Sequence, residues 1–174
     1  MARPQTVARV HAAVLSLAER AGPDALTMEG IAAEAGVGKQ TLYRSWPSVH
    51  AILFDALVAE PEGTRAGDGD GDGTIVGLLR ATIEEISTEP RASLLRLLAA
   101  SIQTDAAVAA QFHERLLGPQ LTQVRRLVAA AGYAQPQTSA ELLLAPIFYR
   151  WFMRLPQFDD VELREHAARI LAMR

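Results

Sequence analysis

The stretch "EAGVGKQTLYRSWP", residues 34–47, gathers the residue types in this chain best suited to chemistry. Gly36, Gly38, Lys39 and Thr41 are the parts of a phosphate-cradling loop, in which backbone N–H groups, an ammonium and a hydroxyl surround a nucleotide and its magnesium. That loop needs a glycine, four residues, Gly-Lys and then at once a Ser or Thr. Here Ala33 occupies the place of the first glycine and Gln40 follows Lys39, so both requirements fail. Nor does a buried strand lead into it, since Ile31 to Ala35 has helical spacing and Glu34 interrupts any apolar strand. The same side chains can instead read DNA. Lys and Gln pair with guanine or adenine edges, and a Thr methyl can touch a thymine methyl.

Other chemistry is poorly supported. The chain has no cysteine, which excludes disulfides, thiolate metal sites and a cysteine nucleophile. His11, His50, His113 and His166 are scattered without ligand spacing, so no metal is expected. Asp68-Gly-Asp70-Gly-Asp72-Gly73 matches the opening of a calcium-binding loop, but Leu79 stands where the bidentate Glu belongs. That stretch reads as a solvated linker. Glu84-Glu85 and Asp159-Asp160 are neighbours in sequence and do not face each other on a helix, so they read as solvated faces or caps rather than an acid-base pair. No nucleophile, base and acid set emerges, and no cofactor is expected.

A chain of 174 residues with 49% hydrophobic content can bury a substantial core in one or two domains. No apolar run is long enough to span a membrane and no cleavable leader stands at the N-terminus, so a cytoplasmic protein without a membrane partner is expected. The net charge of −3 argues against a coat of nonspecific nucleic acid. Local placement differs: residues 1–18 and 35–54 contain no Asp or Glu yet carry Arg3, Arg9, Lys39 and Arg44.

Nearly every segment has helical period, and strand alternation is missing. Val7, Val10, Val14, Leu17, Ala18 and Ala21 share a face before Gly22-Pro23 stops the helix. Thr27 is placed to cap a short second helix whose Met28, Ile31, Ala32 and Ala35 face one way. A third follows over 39–45, and Pro47-Ser48 opens a fourth with Val49, Ile52, Leu53, Ala56 and Leu57 inward. The acidic Gly/Asp stretch 60–74 separates this from helices expected near 75–88, 91–103, 106–131, 138–155 and 159–173. Pro90, Pro119 and Pro136 suit helix starts or kinks, and Pro146 should bend the helix that holds it. The segment 140–155 is apolar on almost every side, as suits a helix serving both its own core and a second subunit, or one buried centrally in a monomer.

A helix-turn-helix needs a small residue where its helices nearly touch, a glycine free to adopt positive φ in the turn, and apolar anchors on the second helix. Ala32, Gly36, Val37 and Leu42 supply them. Gly38 then serves as a permissive cap, Lys39, Gln40 and Thr41 crowd the first turn that meets base edges, and Tyr43 and Arg44 fall where phosphates would be.

Residues 7–57, "VARVHAAVLSLAERAGPDALTMEGIAAEAGVGKQTLYRSWPSVHAILFDAL", resemble the N-terminal domain of TetR-family transcriptional regulators. The resemblance is carried by Thr27, Ile31-Ala32, Ala35-Gly36-Val37 and Thr41-Leu42-Tyr43-Arg44, followed by an aromatic residue and Pro47-Ser48. The C-terminal stretches "LLRLLAASIQTDAAVAAQFHERLLGPQ" and "ELLLAPIFYRWFMR" are similar in pattern to one subgroup of the family's ligand-binding domains. Two departures stand out: Trp46 replaces the usual Phe, and Val49 replaces a Lys that commonly grips phosphate, with His50 as its candidate substitute.

The resemblance implies an all-α protein with a three-helix helix-turn-helix DNA-binding domain at 1–47, a connecting helix at 48–59, the linker at 60–74 and a larger effector-binding and dimerisation domain at 75–174. Its implied partners are double-stranded, palindromic operator DNA, a small-molecule effector, and a second copy joined through the helices near 138–155 and 159–173. The expected DNA-binding set is Thr27, Gly38, Lys39, Gln40, Thr41, Tyr43, Arg44 and His50. In the C-terminal body Gln103, His113, Gln123 and Tyr149 are candidates to orient a ligand, with Phe112, Leu116, Phe148 and Phe152 as apolar lining. The expected role is a repressor released by its effector, with an activator or an effector-independent regulator as alternatives. A non-regulatory helical enzyme or scaffold has no site residues to support it.

Overall fold

The computed structural model describes residues 3–21, 25–59 and 74–173, and among these every regular element is helical. The Gly22-Pro23 stop and the Asp68–Gly73 stretch lie outside the described residues. The helices are α1 Pro4–Ala21, α2 Met28–Ala35, α3 Lys39–Ser45, α4 Val49–Val58, α5 Ile75–Ser87, α6 Arg91–Ser101, α7 Ala106–Phe112, α8 Gly118–Ala130, α9 Pro136–Phe152 and α10 Asp160–Leu171. They form two compact units that do not follow chain order, one of residues 1–60 with 88–115, the other of 61–87 with 116–174.

In the first unit α1 packs on α2, α4 and α6. The expected α1 stripe supplies Val10, Val14, Leu17 and Ala18 to the core, joined by Ala13. They meet Ile31, Ala32 and Ala35 of α2 and Ile52, Leu53, Phe54, Ala56 and Leu57 of α4 in one buried apolar set. Each such large side chain removed from water contributes roughly 1.5–3 kcal/mol, which is what holds helices too short to persist alone. Segment 88–115 joins this unit because α6 packs on both α1 and α4, burying Leu94 and Leu98.

In the second unit α5, α8, α9 and α10 pack together through Leu78, Leu79, Val124, Val128, Leu143, Leu144, Ile147 and Leu163. Trp151 is buried and its Nε1 donates to Ile86 O at 2.9 Å. Asp159 caps α10, accepting from the amides of Val161 and Glu162 while Glu162 accepts from Asp159 N, a reciprocal capping box. Arg80 pairs with Asp160 at 2.8 Å. These two acids are thus a cap and an ion-pair partner.

The expected continuous helix over 106–131 is interrupted. After α7 the chain makes a π-helical turn, His113–Leu117, before α8 begins. Pro119, in the first turn of α8, has no N–H to donate back, and the wider turn absorbs the change of register. The expected helix to residue 155 also ends early, at Phe152: Arg154 takes positive φ (54°) and Leu155 N donates back to Arg150 O at 2.8 Å, closing a six-residue turn just ahead of Pro156.

Candidate nucleic-acid interface

The turn between α2 and α3 is built by local rules reinforced from α1. Thr27 adopts extended backbone and its hydroxyl accepts from Gly30 N at 3.0 Å, which starts α2. Gly36 ends it in the left-handed region (φ 61°), and Val37 N donates to Ala32 O at 3.0 Å. Arg9 then reaches across from α1. Its Nη2 donates to Gly36 O at 2.8 Å and to Ala35 O. The helix end is therefore satisfied by a guanidinium as well as by the turn, a use of Arg9 that a merely basic N-terminal segment did not suggest.

Gly38 caps α3 through its backbone, with no side-chain bond, and Thr41 N and Leu42 N donate to Gly38 O. Leu42 and Trp46 are buried and fix the helix to the core. The opposite face carries the exposed Lys39, Gln40, Tyr43 and Arg44, with Thr41 half-buried beside them. Lys39 Nζ lies 3.3 Å from Glu29 Oε1 at the start of α2.

His50 is half-buried on α4 with its Nε2 3.1 Å from Ser101 Oγ of α6, so that ring nitrogen already has a protein partner. Val49 beside it is half-buried too. Beside the C-terminal end of α3, Asp55 accepts from Trp46 Nε1 at 2.8 Å and from Arg115 Nη2 at 2.9 Å, while the Arg115 guanidinium also lies over the Phe54 ring. Burial pushes the Asp55 carboxyl upward, but hydrogen bonds from Arg115 and Trp46 and the Arg115 charge outweigh it and hold the group below the usual carboxylate range. His11 sits 6.4 Å from the Trp46 ring; burial lowers its pKa, with the Asp55 charge opposing.

The expected ligand residues are spread over both units. Gln103, Phe112 and His113 belong to the first, where Phe112 is buried and the other two are exposed. Leu116, Gln123 and Phe148 are half-buried in the second, while Tyr149 and Phe152 stand exposed on α9. Sequence patterning passed over the buried polar contact of the second unit: Thr82 donates to Leu78 O at 2.9 Å and accepts from Gln120 Nε2. Among the described residues no group of three His, Asp or Glu could hold a metal, and no helix is long and apolar enough to cross a membrane.

Comparison with known proteins bears directly on this geometry. The family profile described as "Bacterial regulatory proteins, tetR family" matches residues 11–56, which contain α2, the turn and α3. A second, "Tetracyclin repressor-like, C-terminal domain", matches residues 66–170. The chain belongs to the TetR family of transcriptional regulators. The Bacillus subtilis (strain 168) HTH-type transcriptional regulator YdeS is 25% identical to it over 167 residues, 89% of this chain and 84% of that protein. The crystal structure of the TetR-family regulator SCO0332 superposes with a TM-score of 0.75 at 25% identity, covering 96% of this chain and 97% of that one. The flavonoid-responsive regulator FrrA shares the fold at a TM-score of 0.65 and 20% identity, covering 97% and 94%. In this TetR-family protein α3 occupies the second helix of the helix-turn-helix, and DNA-binding regulation of transcription is its function; its relatives are regulators rather than enzymes.

Proposed function

We propose that this TetR-family regulator is a homodimeric repressor that holds a palindromic operator through α3 and leaves it when a small molecule binds its C-terminal part. The observation that carries the reading is the division of α3: Leu42 and Trp46 are locked in the core while Lys39, Gln40, Tyr43 and Arg44 face outward. Lys39 and Gln40, in the first turn, are suited to base edges, and Tyr43 and Arg44 to phosphates. Thr27, Gly38 and Thr41 contribute at the margins as cap, close backbone approach and methyl contact. The His50 ring, engaged through Nε2 by Ser101, takes a lesser part.

Dimerisation through α9 and α10 is supported by the apolar side chains these helices leave in water: Leu142, Tyr149, Phe152 and Val161, with Met153 directly after α9. Large apolar side chains exposed on two helices that pack together suit an association surface. Release by a small molecule is supported by the flavonoid response of a protein of the same fold. A ligand that binds the arrangement incompatible with DNA more tightly shifts the population away from the operator.

The test is selection from random duplex DNA by the purified full chain, followed by footprinting. The expected result is a two-fold symmetric site whose half-sites are centred one helical turn, about 34–36 Å, or a multiple apart. Absence of any enriched sequence at low salt would defeat the reading.

A further inference from the structure

Lys39 is the sole lysine of the chain and the first residue of α3. Its ammonium does not stand alone. It lies 3.3 Å from the carboxylate of Glu29, in the first turn of α2, and both side chains are more than half exposed, at 62% and 56%. The two acids of α2 are used differently. Glu34 turns back to α1, accepting from Arg20 at 2.8 Å and Ser16 at 2.9 Å. Glu29 alone of the pair meets the helix that reads DNA, beside a stretch, 35–54, that has no acid of its own.

We propose that Glu29 is a specificity-determining residue of the DNA interface: its carboxylate neutralises Lys39 and withholds that charge from DNA of the wrong sequence. The inference rests on α3 being the reading helix. A cation gains from any phosphate it meets, which is the sequence-independent part of DNA affinity. When Lys39 is already paired, that gain is offset by the loss of Glu29 as a partner and by the carboxylate's repulsion from the phosphates. At a matched base the two acceptors of a guanine edge, O6 and N7, replace the carboxylate oxygen with better geometry. The exposed ion pair is weak enough for that exchange to proceed. An exposed glutamate is ionised at neutral pH in any case, and its own backbone N–H and then Lys39 hold the Glu29 carboxyl below the usual range.

The experiment compares wild type, Glu29→Gln, Lys39→Ala and the double variant by fluorescence anisotropy across a salt series. The probes are a duplex recovered by selection from random DNA and a scrambled duplex of the same length. Glu29→Gln is expected to tighten binding to the scrambled duplex several-fold and to steepen its dependence of log K on log salt by about 0.9 for each reading helix engaged. Binding to the selected duplex changes less, so discrimination falls. In the Lys39→Ala background the same change should have no effect, because Glu29 acts through Lys39. The proposal is overturned if Glu29→Gln leaves scrambled binding and salt slope unchanged. It is equally overturned if the effect persists undiminished without Lys39, the mark of bulk charge, or if only the selected duplex is weakened, which would make Glu29 a direct base contact. A wild type that does not distinguish the duplexes brings down the DNA reading itself, and this inference with it.

Discussion

The indole Nε1 of Trp46, at the C-cap of α3, donates to Asp55 Oδ2 of α4 at 2.8 Å. Phe, the residue usual in the family at this place, is smaller than the buried indole and has no N–H to make this bond, so Trp46 supplies a polar contact as well as an apolar anchor. Trp46→Phe should cost at least about 1 kcal/mol in urea unfolding, the usual worth of a part-buried hydrogen bond, because the smaller ring adds a packing loss to the lost bond. In a double-mutant cycle with Asp55→Ala, which removes the acceptor, the two losses should fall short of additive; full additivity would show that the bond contributes nothing.

Asp55 and His11 give the protein two acid-sensitive steps. The Asp55 carboxyl titrates below its ordinary range when folded, so its contribution is whole above about pH 4 and is lost as pH falls through the lower folded value. The His11 pKa is likewise lowered, mainly by burial, so the unfolded chain takes up a proton first. Stability should therefore begin to fall as pH drops through about 6.5. His11 Nε2 is buried without a hydrogen-bond partner, so His11→Leu removes an unsatisfied polar atom together with the titration. Chemical unfolding from pH 8 to 5, a range set by the reference histidine value of about 6.5, should give a flatter profile for His11→Leu than for wild type.

Gly36 adopts φ 61°, and a β-carbon there would lie 2.7 Å from Arg9 Nη2. Gly36→Ala should cost about 1–2 kcal/mol from the left-handed backbone alone. Arg9 is a flexible arm and can withdraw, but it then abandons the carbonyls of Ala35 and Gly36. Arg9→Ala should thus destabilise by itself, and Gly36→Ala should still be costly in that background, as thermal unfolding would register.

Gln40→Ala should change which bases are preferred, whereas Arg44→Ala should weaken all duplexes alike and lower the salt slope, as base and phosphate contacts do. Repeating the random-DNA selection with each variant separates the two effects. The reverse pattern would mean that α3 presents a different face to the groove.

Phe152 is 52% exposed near the end of α9. Phe152→Glu should leave helicity and unfolding cooperativity intact while moving the sedimentation coefficient from dimer to monomer, with a large loss of affinity for a two-half-site duplex. An unchanged sedimentation coefficient would place the dimer contact elsewhere.

Much of the helix-turn-helix was legible because its signals are local. The Thr27 hydroxyl and the Gly30 amide it caps are three residues apart, Gly36 is demanded by the backbone of the turn, and the Leu42 spacing says which side of a seven-residue helix is buried. The π-helical turn was not readable, since Pro119 announces a helix start and does not say how the preceding turn adjusts. Helix patterning says which side chains share a face but not which compact unit their helix joins, so it could not group the ligand candidates; the segment 88–115 lies with the N-terminal helices.

The sequence by itself determined the helical class, the span of α3 and which of its side chains are buried and which exposed, because periodicity, caps and glycine requirements act over a few residues. Only the tertiary structure decided the rest. Arg9 closes a turn 26 residues away, Arg115 meets Asp55 across 60 residues, and the Ser101 hydroxyl meets His50 across 51. No local preference encodes such pairings. They arise when helices bury their apolar faces together, and the side chains at the margins then find whichever partners the packing has brought within reach.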